Sequence, residues 1–369
     1  MMDKNYIRKV NKLIRDKRPS FSSGKYCEVF QSGDLLEIGF LYGQCRNDSS
    51  GSCLMCDYGR ANNGGSHQAY ISEMNEILNK HREGINFLLL CSNGSILDEK
   101  QISTELLSEI LKAAQSCNIP RIIIETHYRD VTADRLNLIK HFVHKPIIIE
   151  MGLETINPKY QNALFMKGIE IDLYEKTICL IHDYGYDVEL NLMFGLPFLS
   201  AQEQLEDAKR SIDWAICHQC TPIIFPINIK PYTILRYAYD NGLYQPISLW
   251  LLIILLDSLN EEELSNILIA WYGNRDDSYI GDIPTIFPQT CSECRNKLIA
   301  FGRAFLDAHL YDERKTLIAE LLSNTTCDCY QNVKKQLELS GDNFDTKYDQ
   351  FYQQVKKDFN NIICEAASK

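Results

Sequence analysis

Six short apolar, β-branched runs alternate with helix-period stretches between residues 35 and 230, and this alternation constrains the fold more than any other feature of the chain. The runs are "LLEIGFLYG" (35–43), "INFLLLCS" (85–92), "RIIIETHY" (121–128), "PIIIEMGLE" (146–154), "DVELNLMFGLP" (187–197) and "PIIFPINI" (222–229). Between them lie patterns such as "STELLSEILKAAQSC", "TADRLNLIKHFV" and "AQEQLEDAKRSIDWAICH". Strand-length runs separated by helices predict an α/β fold with a parallel sheet. Right-handed crossovers would curl six such units into an open or partial barrel. Chemistry in that architecture sits at the C-terminal strand ends.

The chain accordingly divides into an N-terminal extension (1–34, a helix and a connector), a βα unit (35–245) and a mostly helical C-terminal region (246–369). The apolar run "LWLLIILL" (249–256) is far short of the roughly 20 residues that span a membrane and reads as a buried helix. The charged start "MMDKNYIRKVNKLIRDKR" lacks an apolar signal core, so a cytoplasmic protein with no membrane partner is expected. Fourteen cysteines among 369 residues are many for such a chain. Disulfide scaffolds belong to small secreted domains, so metal ligation is the better account. The net charge of −11 gives no global attraction to nucleic acid, although a local basic patch would suffice for one.

Cys45, Cys53 and Cys56 fall directly after the first run, in "GQCRNDSSGSCLMCDYG" (43–59), with the spacing C-x7-C-x2-C. Three thiolates can hold a [4Fe–4S] cluster with one iron open to another ligand. The alternatives are a zinc knuckle with a borrowed fourth ligand and a chance cluster. Gly51 and the loop serines let the backbone wrap closely around such a group. A second set, Cys291, Cys294, Cys327 and Cys329, reads C-x2-C-x32-C-x-C. Four thiolates suit a closed structural zinc site, with an auxiliary iron–sulfur cluster as the other option. Cys217 and Cys220 lie one helical turn apart and read as helix-core and helix-end residues.

A cysteine triplet after the first strand of a βα sheet resembles the radical S-adenosylmethionine (SAM) superfamily, whose common spacing is C-x3-C-x2-C. Further segments at successive strand ends carry the resemblance: "CSNGSILD" (91–98), "IEMGLETIN" (149–157) and "NLMFGLPFLS" (191–200). With "QPISLW" (245–250) and "QTCSEC" (289–294) they are similar to the radical SAM family of archaeosine synthesis, over about residues 36 to 330. The resemblance implies a partial TIM-like (βα)6 barrel that holds a [4Fe–4S] cluster on Cys45, Cys53 and Cys56. It implies SAM contacts from Ser92, Asn93, Gly94, Glu154 and Asn191. It implies reductive cleavage of SAM, with the electron coming from a donor such as flavodoxin or ferredoxin. The substrate it suggests is a lysine-modified 7-deazaguanine base in tRNA, cleaved at a C–N bond; a small molecule or amino acid in a biosynthetic pathway is the alternative. Glu125 and His127 share one side of their strand, and as a pair they could orient or deprotonate a substrate amine. Lys167 could pair with a carboxylate, but a surface lysine is the preferred reading.

Overall fold

The computed structural model describes residues 3–19, 24–57, 65–81, 83–270, 279–280, 283–288, 290–339, 341 and 343–367. One sheet runs through it in chain order: β1 (Cys27–Ser32), β2 (Leu35–Phe40), β3 (Phe87–Ser92), β4 (Arg121–Thr126), β5 (Ile147–Glu154), β6 (Asp187–Phe194), β7 (Thr221–Pro226) and β8 (Leu268–Ile269). β1 pairs antiparallel with β2, and every later neighbour is parallel. The six runs expected as strands are β2 to β7, and the sheet curls into a half-barrel.

Two strands of this sheet lie outside that expectation. β1 occupies part of the segment read as a connector, where "CEVFQSGDLLEI" forms a hairpin around Gly33, whose φ is +57°. β8 adds only two residues beside β7, in a stretch otherwise helical, too few for a periodic signal.

The two faces of the sheet are sorted by the two-residue period of a strand. Leu36, Ile38, Leu88, Leu90, Ile122 and Ile124 face outward and pack with Leu107, Ile110 and Leu111 of the helix Thr104–Ser116. Ser66, Ser103, Thr132 and Ser200 cap the helices that follow, each accepting a backbone N–H of the first turn. Inside the half-barrel, Leu89, Ile123 and Ile148 form an apolar floor.

A second apolar cluster covers the C-terminal ends of the strands. Ile7 and Val10 of the helix Lys4–Arg15, Leu54 of the cysteine loop, Leu235, and Phe351 and Val355 of the helix Phe344–Ala367 are all but fully buried there. Side chains of this size each contribute about 1.5–3 kcal/mol when buried. The backbone N–H of Asp3 donates to the Tyr352 hydroxyl at 3.1 Å, so segments from both ends of the sequence meet over the mouth. Among the described residues no helix is long and apolar enough to cross a membrane.

Candidate active site at the mouth of the half-barrel

The cysteine loop leaves β2 at the mouth. Cys45 precedes the short helix Arg46–Ser49; Cys53 is buried, and Cys45 and Cys56 are half-buried. The backbone N–H groups of Cys53 and Leu54 donate to the carbonyls of Phe165 and Leu164, both at 2.9 Å. Cys53 takes a left-handed φ of +59°, which turns the chain sharply between ligands. Gly51 has a φ of +82°, and a Cβ there would stand 2.2 Å from the Arg8 carbonyl oxygen. Only glycine allows the loop to pass so close to the N-terminal helix.

That helix holds the loop. Arg15, 3% exposed, pairs with Asp48 at 2.6 Å. It also donates to the carbonyls of Asp48, Ser52 (2.8 Å), Cys53 (2.5 Å) and Cys56 (2.9 Å). Asn11 donates to the Gly51 carbonyl at 3.0 Å and accepts from the Ile234 N–H at 3.0 Å. Arg46 ties the loop to the exits of β3 and β4 through Asp98 (3.3 Å) and Asp130 (2.7 Å). None of these clamp residues was legible as functional in the sequence. An Asn and an Arg on the apolar side of an N-terminal helix were the available signal.

The three thiols influence one another. Burial raises the Cys53 thiol to about 12, Cys45 and Glu154 push the same way, and Lys167 and Arg15 oppose them. Burial also raises Cys56, reinforced by Asp48, Cys45 and Cys53, while Lys230, paired with Asp57 at 2.8 Å, pulls it back. A set of three soft thiol donors, ringed by cations that offset thiolate charge, fits a [4Fe–4S] cluster.

Glu154 ends β5 with a left-handed φ of +68° and is 4% exposed. Lys167 is not a surface lysine: its Nζ bonds Glu154 Oε1, and the left-handed Met166 turns it inward. Burial opposes the Lys167 charge, but Glu154 and Cys53 outweigh it and raise its pKa. Gly152 leaves room for the folded-back carboxylate, since a Cβ there would lie 2.7 Å from Glu154 Oε1. Glu154 Oε2 is buried with no hydrogen-bond partner. Ser92, Asn93 and Gly94 form a half-buried turn at the β3 exit, with Ser92 Oγ accepting the Gly94 N–H at 3.3 Å. An orphaned carboxylate oxygen near Cys53, with a polar turn two strands away at the β3 exit, fits a ligand with amino and hydroxyl groups, as SAM has.

Asn191 sits deeper. Its Nδ2 donates to Glu150 Oε1 at 2.7 Å, and its Oδ1 is buried and unpartnered. Glu150 belongs to a layer of carboxylates above the apolar floor. Glu125, Glu150 and Glu189 stand in one register row across β4, β5 and β6. Burial raises Glu125 to about 8, with Glu150 and then Glu37 on β2 adding to it; it raises Glu150 to about 8, with Glu189 adding; and it raises Glu189 to about 7. His127 faces the same way as Glu125, but no hydrogen bond joins them. Its Nδ1 accepts the Arg129 N–H at 3.3 Å, and its Nε2 is buried without a partner. Burial lowers its pKa to about 3, helped by Lys167, Arg46 and Arg129, so His127 is neutral near pH 7.

The late cysteines form a separate centre. Cys291, Cys294, Cys327 and Cys329 bring their sulfurs within 4.8 Å of one another. Burial works against the Cys329 thiolate, but hydrogen bonds from Cys291, Cys327 and Cys294 bring its pKa down to about 6. Cys217 is exposed and Cys220 is buried just beyond the helix Ala201–Cys217, so only the second is packed in the core.

No family model matches the chain. It is 26% identical to archaeosine synthase subunit beta of Methanosarcina acetivorans over 82% of this chain and 85% of that one. It is 27% identical to archaeosine synthase subunit beta of Thermococcus kodakarensis over 54% of this chain and 63% of that one. Among solved structures, the queuine lyase from Clostridium spiroforme bound to SAM and queuine overlays with a TM-score of 0.41 at 19% identity, covering 67% of this chain and 95% of that one. Over most of its length the chain is thus similar to archaeosine synthase subunit beta, a likeness that joins the half-barrel strand order and the motifs on successive strand ends.

Proposed function

We propose that this chain uses Cys45, Cys53 and Cys56 to hold a [4Fe–4S] cluster, binds SAM against Glu154 and the 92–94 turn, and acts on a substrate that presents a protonated amine to the half-barrel interior. The substrate that fits is a lysine-modified 7-deazaguanine base in tRNA, cleaved at a C–N bond. When bound and reduced by a flavodoxin- or ferredoxin-type donor, the cluster and SAM supply a 5′-deoxyadenosyl radical that takes hydrogen from carbon.

The observation that carries the substrate class is the carboxylate layer. Glu125, Glu150 and Glu189 are held inside the half-barrel and make no ion pair among the described residues. In the empty site burial keeps Glu125 and Glu150 protonated near pH 7, and an arriving cation favours their ionised form. An ammonium group offers the missing positive charge and three donors. Lys167 takes one oxygen of Glu154, which leaves Oε2 to orient SAM. The neutral His127 is a hydrogen-bonding group here rather than an acid. The apolar cluster over the mouth keeps water from the reacting carbon.

The net charge of −11 favours a second reading, in which the substrate is a free small-molecule amine. Anaerobic incubation with SAM, a reductant and either modified tRNA or the free lysine-bearing base separates the two. The first reading expects 5′-deoxyadenosine and a matching change in nucleoside mass only with tRNA. Turnover of the free base alone would move the assignment to the second, and 5′-deoxyadenosine with neither would remove the amine substrate.

A further inference from the structure

The four late sulfurs are too close together for a cluster. The Sγ separations are 3.3 Å for Cys291–Cys327, 3.4 Å for Cys327–Cys329, and 3.5 Å for both Cys291–Cys329 and Cys294–Cys329. All four sulfurs fall within 4.8 Å of one another. Four thiolates at the Zn–S distance of about 2.3 Å form a tetrahedron with edges of about 3.8 Å. A four-iron cluster would have to fit eight atoms between the same sulfurs, and a two-iron cluster would split them into two distant pairs. Neither fits this spacing.

We propose that Cys291, Cys294, Cys327 and Cys329 bind a single tetrahedral zinc ion. The surroundings suit the net charge of −2 that one zinc and four thiolates carry. Cys291 is the N-cap of the helix Ser292–Asp307, and Cys327 is the N-cap of the helix Asp328–Glu338. Both helices thus direct their positive ends at a ligand. The indole N–H of the fully buried Trp250 donates to Cys329 Sγ at 3.2 Å, a supporting hydrogen bond of the kind that fixes metal ligands. Cys294 is buried in the main core, and the other three pack against it.

The ion would fasten two helices to the helix Leu249–Asp257, which carries Trp250. It would also set a wall of a cavity of about 740 Å3, to which Cys291 and Cys329 contribute and which reaches Leu196 and Phe198 at the β6 exit. The role is structural: all four positions are protein thiolates, and zinc carries no redox chemistry. Electrons would enter only through the mouth triplet.

Metal analysis and X-ray absorption of the intact, anaerobically purified chain test this without any substitution. The expected result is one zinc per chain beside the iron, with four sulfur scatterers at about 2.3 Å. A mixed nitrogen or oxygen shell, no zinc, or iron sufficient for two clusters would overturn it. In Cys294→Ser the zinc should be lost and Tm lowered while cluster iron stays; zinc retained in that variant counts against the site. Should the variant not fold, the absorption spectrum of the wild-type chain still decides. The result is independent of the substrate assignment, because neither readout depends on turnover.

Discussion

The mouth of the half-barrel and the layer beneath it handle buried charge in opposite ways. At the mouth, charges come in pairs: Arg15 with Asp48, Lys167 with Glu154, and Lys230 with Asp57. Below it, Glu125, Glu150 and Glu189 share a register row with no cation paired to them among the described residues. Paired charges hold the backbone that presents the thiols. Carboxyls without a cation hold on to their protons instead, and a cationic ligand can displace them. Substitutions at the mouth should therefore cost structure and cofactor, whereas substitutions in the layer should cost substrate binding and spare the fold.

The largest effect is expected at Cys53. Cys53→Ala should remove the cluster iron and all SAM cleavage while leaving the late-cysteine zinc in place, measured as metal content and 5′-deoxyadenosine yield. Full cleavage with four irons per chain would contradict the assignment of the triplet. Next comes Arg15. Arg15→Met removes the closer of two arginines from Asp48, leaving Arg18 at 3.5 Å, and frees four carbonyls; breaking a buried pair in this way typically costs about 3–5 kcal/mol. Denaturant unfolding should show that loss together with lower iron retention. A variant of unchanged stability would mean the clamp is dispensable.

Glu154 sharpens the contrast because it belongs to a pair yet has one oxygen free. Glu154→Gln keeps the shape and removes the charge. SAM affinity should fall by about tenfold to a hundredfold, the range of a lost hydrogen bond to a charged group, with the iron content unchanged. Loss of the cluster with SAM affinity intact would make Glu154 a support for the cysteine loop instead.

Strands β2 to β7 were legible because each buried run has the length and branching of a strand and is followed by a capped helix. The convergence of the four late cysteines was legible because their paired spacing marks them. The clamp was hidden, since Asn11 and Arg15 meet the cysteine loop only through tertiary packing across some forty residues. Lys167 was misread for the same reason: the left-handed turn at Met166 that aims it inward has no sequence signature for a non-glycine residue. The carboxylate layer was half visible. Glu125 stood out at the end of its run, but Glu150 and Glu189 sit within apolar runs, and only the parallel register shows that all three face one another.

The smallest effect, and the one that best separates the two regions, is the pH dependence of stability. The Glu150 pKa is raised from about 4.5 to about 8 by burial and by Glu189. The folded chain therefore holds a proton that the unfolded chain releases across that window. Its contribution to stability is complete below about pH 4.5 and is lost as pH rises through about 8. Glu125 behaves in the same direction with a similar value, and Glu189 follows at about 7. Tm should thus fall between about pH 5 and pH 9, a slope opposite to the one expected of paired carboxylates. Glu150→Gln cannot ionise and keeps a donor and an acceptor at the same place, so its Tm should decline less and exceed that of wild type on the alkaline side. If the layer serves a cationic substrate, the same variant should bind that substrate more weakly while holding SAM and iron as before. A variant that is less stable at every pH would show that Glu150 already has its partner, and the layer would then belong with the paired charges of the mouth.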